Sequence, residues 1–383
     1  MSASPVSSPF GIFPWLASVW QQTINGADSL HHGLLLTGID GIGKREFAIS
    51  LSRRLLCADP AVEGACGRCQ NCFLFDAGTH PDLHILATEA ETASERNSSL
   101  AVYSDRYQDI TARQKRANPA RVIPVDQVRL LIERFYQSAH ISSHKVAIIV
   151  PADRMNANAA NALLKLLEEP PENSHFILVS TYPGLLPATI RSRCIAIALT
   201  APDLNQGAIW LQSRGVESPS QLMQEHPGEG PVDLFIRWRC GDLELQRDHL
   251  KQLVGLLAGK VDPVALAANL CKSDVTMVLV LLQRFCVSLA KWQGANVAPP
   301  WISLTGLVKQ HISAPALQAL YERTGQYRRM ARDQLNAQLA LEELLLGLVA
   351  LATSGHRDPA PPRSAAGKPL SGSARGRIVR ATR

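Results

Sequence analysis

The sequence is poor in aromatic residues, at 5%, and only 19% of it is charged, while 46% is apolar. That balance excludes a charge-rich chain with no core and describes a folded globular protein. Its 383 residues suffice for two or three domains with cores of their own. Apolar runs long enough to cross a membrane are missing, and the nearest, 339–352, carries Glu342 and Glu343. The opening MSASPVSSPFGIFPWL has no positive charge, so no signal peptide is expected and the expected address is cytosolic. In that compartment the eight cysteines are thiols or metal ligands rather than disulfides.

The body also lacks net charge. The chain carries +6, but from Arg357 onward seven basic residues (Arg357, Arg363, Lys368, Arg375, Arg377, Arg380, Arg383) face Asp358 alone, and 7 − 1 accounts for all of it. A neutral body argues against a broad DNA-binding face acting alone. The tail, 353–383, is rich in Pro, Gly, Ser and Ala and is expected to be disordered, either as a solvated terminus or as a weak nucleic-acid contact.

Residues 1–12 are expected to be disordered, and Phe13-Pro14-Trp15-Leu16 starts an amphipathic helix ending near Asn25. The apolar runs 33–37, 83–86, 146–150, 176–179 and 195–199 are of strand length, and helical patterns alternate with them. The expected fold is therefore α/β, with a parallel sheet over 13–200. The polar stretch 88–121 has weak periodicity and reads as a flexible insertion. Asp126 is expected to cap a helix with Val128, Leu131, Ile132 and Phe135 on one face. Beyond Pro202 helices dominate, at about 203–213, 219–225, 231–239, 245–258, 263–270, 274–292 and 327–352. The helical part divides into a small domain over 201–243 and a larger one over 244–352.

Gly38-Ile39-Asp40-Gly41-Ile42-Gly43-Lys44-Arg45 follows a strand and opens a helix, with the spacing of a phosphate loop. In such a loop Gly38, Gly41 and Gly43 let backbone N–H groups face a phosphate, and Lys44 reaches its terminal oxygens. The last position calls for Ser or Thr to ligate Mg²⁺. Arg45 offers no acceptor. A carboxylate pair is also expected where the strand 147–150 ends, to hold the metal and activate water. Val150 and Pro151 stand there, and Asp153 comes three residues late, in the position of a helix cap. The loop is then either a nucleotide holder without turnover or a structural turn.

Cys57, Cys66, Cys69 and Cys72 form C-x8-C-x2-C-x2-C, a spacing that wraps one tetrahedral Zn²⁺ and leaves no open position. An iron–sulfur cluster and redox thiols are the rival readings. His80 and His84 lie nearby, and Cys194, Cys240, Cys271 and Cys286 read as core thiols. Arg193, after the turn Pro187-Ala188-Thr189-Ile190, is the candidate for function. An arginine offered to a neighbouring site neutralises charge on a transferring phosphate; the bland reading pairs it with a local carboxylate. Lys165, Glu168 and Glu169 read as a charged helix end.

NALLKLLEEPP (161–171) with Ser192-Arg193-Cys194 resembles the signature of clamp-loader subunits of the AAA+ superfamily, and the cysteine module after the loop's helix is similar to that of the bacterial members. Phe13-Pro14-Trp15-Leu16, His31-His32 and Gly78-Thr79-His80-Pro81-Asp82 extend the likeness over about 13–200. The resemblance implies a RecA-like domain with a zinc module (57–72), a small helical lid (201–243) and an all-α collar (244–352). It implies a subunit that does not hydrolyse ATP but supplies Arg193 in trans to an adjacent motor. The implied partners are the delta and tau/gamma subunits and, through them, the sliding clamp and primer-template DNA. The rival is a motor subunit of the same ring, which would need Asp and Glu where Val150 and Pro151 stand.

Overall fold

The computed structural model describes residues 12–25, 30–61, 63–93, 99–108, 119–137, 139, 141–226, 228–295, 312–330 and 336–354. The tail and the N-terminal stretch expected to be disordered fall outside these residues, except Ile12, Thr353 and Ser354. The chain divides into two units, Met1–Leu245 and Gln246–Arg383.

The first unit is built on five parallel strands: β1 (Gly33–Thr37), β2 (Leu83–Ala87), β3 (Lys145–Val150), β4 (Ser174–Ser180) and β5 (Ile195–Ala198). They stand in the order β2-β3-β4-β1-β5. Strand periodicity sends alternate side chains to opposite faces. Leu34, Leu36, Ile148, Ile177 and Val179 pack on one face with Phe47 and Leu51 of helix Lys44–Leu56 and with Trp15 and Trp20. Leu35, Ile149, Phe176 and Leu178 pack on the other with Leu131 and Phe135 of helix Val125–Phe135 and with Leu163 and Leu167 of helix Ala157–Glu168. Both faces are covered, so the central strands read as continuous apolar runs. Edge strand β5 is the exception, and Ile195 is 52% exposed. Helices Leu204–Ser213, Pro219–Glu225 and Pro231–Arg239 complete this unit, with Trp210, Leu211 and Leu234 in the first core.

Five expectations need correction. Cys240, read as a core thiol, is exposed. The stretch 88–121 is not loose throughout: helices Glu89–Ala93 and Ser99–Ser104 and the turn Asp105–Tyr107 are formed, with Leu100, Tyr103 and Tyr107 buried. Their side of each short helix is too brief for a periodicity to register. Residues 94–98 and 109–118 lie outside the described part. Asp126 does not cap: extended Pro124, two residues earlier, holds the cap position, and Asp126 sits in the first turn. Asp153 lies inside the turn Ala152–Arg154, and Asn156 caps the following helix by accepting the Ala159 N–H at 2.7 Å. The single long helix over 327–352 is two, Ala314–Met330 and Ala337–Ser354, the second capped by Asn336 on the Leu339 N–H at 3.2 Å.

The second unit is helical. Leu253, Leu270, Leu279, Phe285, Leu317, Leu341 and Leu345 form its core. Helix Val275–Ala295 is long and apolar enough to cross a membrane by length and composition, yet Val278, Leu282, Cys286 and Leu289 are buried within this core.

Candidate functional site

The glycine loop follows β1 and opens helix Lys44–Leu56 as expected, and other segments of the chain pack on it from two sides. Gly43 ends the loop in the left-handed region, at φ 95°, and a Cβ there would lie 2.2 Å from the Phe13 ring. Trp15 donates its indole N–H to the Ile42 carbonyl at 2.9 Å. From the other side, the Gly230 N–H binds the Asp40 carbonyl and the Val232 N–H binds the Gly41 carbonyl, each at 2.9 Å. A Cβ at Gly41 would meet Asp233 at 2.3 Å. The start of helix Pro231–Arg239 therefore sits on the loop.

Lys44 is folded back. Its Nζ donates to the carbonyls of Gly38 at 3.0 Å and Ile39 at 2.6 Å and lies 3.6 Å from Asp40. Burial pulls its ammonium below the ordinary lysine value, and the Asp40 carboxylate opposes that shift. Arg45, at the hydroxyl position, pairs with Glu91 at 2.8 Å. A cleft of about 350 Å³ remains, lined by the loop with Glu91, Val150, Pro151, Thr181 and Asp233. Burial pushes the Asp233 carboxyl above its ordinary range, with Arg237 acting against it. Asp153 turns to β4, accepting the Ser180 hydroxyl at 2.6 Å. No local signal in the sequence pointed to Glu91 or Asp233, which reach the loop only through the fold.

The four cysteines converge. Cys57 Sγ lies 3.5 Å from Cys66 Sγ, 3.8 Å from Cys69 Sγ and 3.7 Å from Cys72 Sγ, and all four sulfurs fall within 4.8 Å of one another. Sulfurs around one tetrahedral zinc, each at about 2.3 Å, stand roughly 3.8 Å apart, so the donor set fits a closed four-thiolate site. Backbone N–H groups already face two of them, Cys66 N–H to Cys57 Sγ at 3.3 Å and Cys72 N–H to Cys69 Sγ at 3.5 Å. Burial raises the Cys69 thiol, but N–H donors from Cys72 and Ala58 outweigh it and hold the group at about 6. His80 and His84 do not join: His80 Nδ1 accepts the Asp82 N–H, and His84 Nδ1 bonds the Tyr107 hydroxyl.

Arg193 stands at the other end of the sheet. Its carbonyl packs against Gly33, at the start of β1, whereas the loop leaves β1 after Thr37. Four residue steps separate those ends by about 13 Å along the strand, so Arg193 does not serve this chain's own loop. The side chain is one-third exposed and pairs with Glu168 at 2.6 Å. Thus the local carboxylate partner is present, and it comes from the helix end that the sequence marks only as charged.

Sheet, glycine loop and helical second unit together define an α/β protein with a five-stranded parallel sheet and an all-helical second unit. The family described as DNA polymerase III, delta subunit, matches residues 15–203, and its C-terminal counterpart matches 241–349. DNA polymerase III subunit delta′ of Pseudomonas aeruginosa is 37% identical over 214 residues, 56% of this chain and 56% of that protein. The subunit of that name in Escherichia coli K12 is 28% identical over 87% of this chain and 94% of its own length; in Yersinia pestis the figures are 29%, 90% and 97%. The chain belongs to the DNA polymerase III delta-prime family.

Proposed function

We propose that this chain is a clamp-loader subunit of bacterial DNA polymerase III that hydrolyses no ATP itself and supplies Arg193 in trans to the ATP site of a neighbouring motor subunit. In that role it works in the cytoplasm with delta and tau/gamma subunits and helps place the sliding clamp on primer-template DNA. The observation that carries this reading is the state of its own loop. Lys44 is spent on the loop's carbonyls, and Arg45, Val150 and Pro151 stand where a metal-bound nucleotide needs a hydroxyl and carboxylates. A site so occupied has no means of holding Mg²⁺-ATP for hydrolysis, while the family membership calls for assembly with other subunits.

The helices over 201–243 act as the lid and those over 244–352 as the collar of that assembly. Cys57, Cys66, Cys69 and Cys72 hold a structural Zn²⁺, whose binding free energy stabilises the module between helices Lys44–Leu56 and Gln70–Asp76. Elemental analysis should return one zinc per chain, and Cys66→Ser should reduce it. A parent protein free of zinc would end that assignment.

The test of the main reading is direct. The purified chain with Mg²⁺-ATP should show no turnover above a Lys44→Ala control, and a reconstituted complex lacking it should lose clamp loading. Turnover at this chain's own loop would overturn the proposal.

A further inference from the structure

We propose that Glu168 is a positioning residue that keeps Arg193 parked on its own subunit until a partner's phosphate displaces it; the inference rests on the reading of Arg193 as a group offered in trans. Both terminal nitrogens of the guanidinium are committed. Nη2 meets Glu168 Oε1 at 2.6 Å, and Nη1 donates to the Thr189 carbonyl at 2.9 Å and the Ser192 hydroxyl at 3.3 Å. Recognition of a phosphate draws on the same fork, two N–H groups presented side by side. These three bonds take three of the five guanidinium N–H donors, including both on Nη1, so turning the fork formed by the two terminal nitrogens to a phosphate means leaving Glu168.

The carboxylate comes from a fixed point. Glu168 is the last residue of helix Ala157–Glu168, just ahead of Pro170 and Pro171, which prevent the helix from continuing. The preceding carbonyl, that of Leu167, is held by His32 Nε2 at 2.9 Å, tying this helix end to the start of β1. Arg193, by contrast, follows the four-residue helix Ala188–Arg191 and lies on the surface. The pair is 34% and 46% exposed, so water and salt weaken it. A single half-exposed carboxylate biases the arginine without trapping it, and a polyphosphate with several negative charges outcompetes it.

The test uses the reconstituted complex carrying full-length chain and the ATP-hydrolysing subunits. Glu168→Gln keeps the shape and removes the charge. It should raise ATPase about two- to fivefold at low salt, the size a pair this exposed can carry. The ratio to wild type should approach one as salt rises from roughly 0.05 to 0.3 M and screens the pair in both proteins alike. Glu169→Gln, on the adjacent carboxylate, should match wild type, and the double variant Glu168→Gln/Arg193→Ala should match Arg193→Ala alone. A wild-type or lower rate in Glu168→Gln, or an equal rise when Arg193 is absent, overturns the parking role while leaving Arg193 itself in place. If Arg193→Ala runs at the wild-type rate, the in-trans reading fails instead.

Discussion

The two ends of one sheet differ in how their polar groups are satisfied. At the end where β1 runs into the glycine loop, carbonyls, the lysine and the adjoining arginine all find partners within the chain: Trp15, Gly230, Val232 and Glu91. At the other end, Arg193 has one exposed ion pair and two neighbouring acceptors. A group bonded internally from several sides is expensive to redirect, because each broken bond leaves a buried partner unsatisfied. A group held by one half-exposed carboxylate is cheap to redirect. The fold has thus tied the glycine loop down from several sides and left the Arg193 side chain the easier of the two to redirect.

The comparison can be broken most decisively at the movable end. On the proposed in-trans role, Arg193→Ala should lower turnover at the neighbouring subunit's ATP site by about 10³-fold, the lower part of the arginine-finger range, with the chain's own melting temperature nearly unchanged. DNA-stimulated ATPase of the assembled complex reads this, and an unchanged rate would remove the contrast altogether. The closed end predicts the reverse pattern. Gly43→Ala places a Cβ 2.2 Å from Phe13 at a positive φ, and should cost about 2–3 kcal/mol in urea unfolding. A variant as stable as the parent would mean that the loop is not packed as described.

Acid should find buried neutral groups on the covered strands. Burial lowers His84 to about 3, with nearby arginines adding to the effect, and His175 to about 4, with His144 adding to it. Both lie below the ordinary value of about 6.5, so between those limits the unfolded chain takes up protons that the folded chain refuses. Stability should be flat above about pH 7 and fall as pH drops from about 6.5 toward 4, by at most about 1.4 kcal/mol per pH unit for each histidine. His175→Gln should make the urea midpoint fall less steeply over that interval, and an unaltered slope would show that His175 is not buried in neutral form. The smallest effect belongs to Lys44→Met. Since this lysine binds only its own loop, ATPase of the assembled complex should change by less than about twofold, whereas in a working motor the lysine contacts the phosphates directly.

Much of the frame was legible in the residues. Strands 33–37, 146–150 and 176–179 announced themselves because a strand covered on both faces is apolar at every position. The cysteine spacing carried its own geometry, since four thiolates around one ion leave little choice of arrangement. The defects at Arg45, Val150 and Pro151 were visible because phosphate chemistry demands particular side chains at particular offsets. Glu91, Asp233 and Glu168 were not legible. Each is an ordinary acid on an ordinary helix, and each matters through a partner 25 or more positions away. The short helices within 88–121 escaped for a related reason: five or six residues give too few turns to display a period, and burial of Tyr103 and Tyr107 is a long-range event.

The sequence by itself therefore determined which chemical groups stand at the loop and at the strand end, because a missing hydroxyl or carboxylate is a fact of composition at a position. Only the tertiary structure decided which charges are free to act. It turned Lys44 inward onto Gly38 and Ile39, seated helix Pro231–Arg239 on the loop, and brought Glu168 to Arg193. The physical reason is that an ion's availability depends on burial and on its nearest partners, and those are set by packing between segments far apart in the chain.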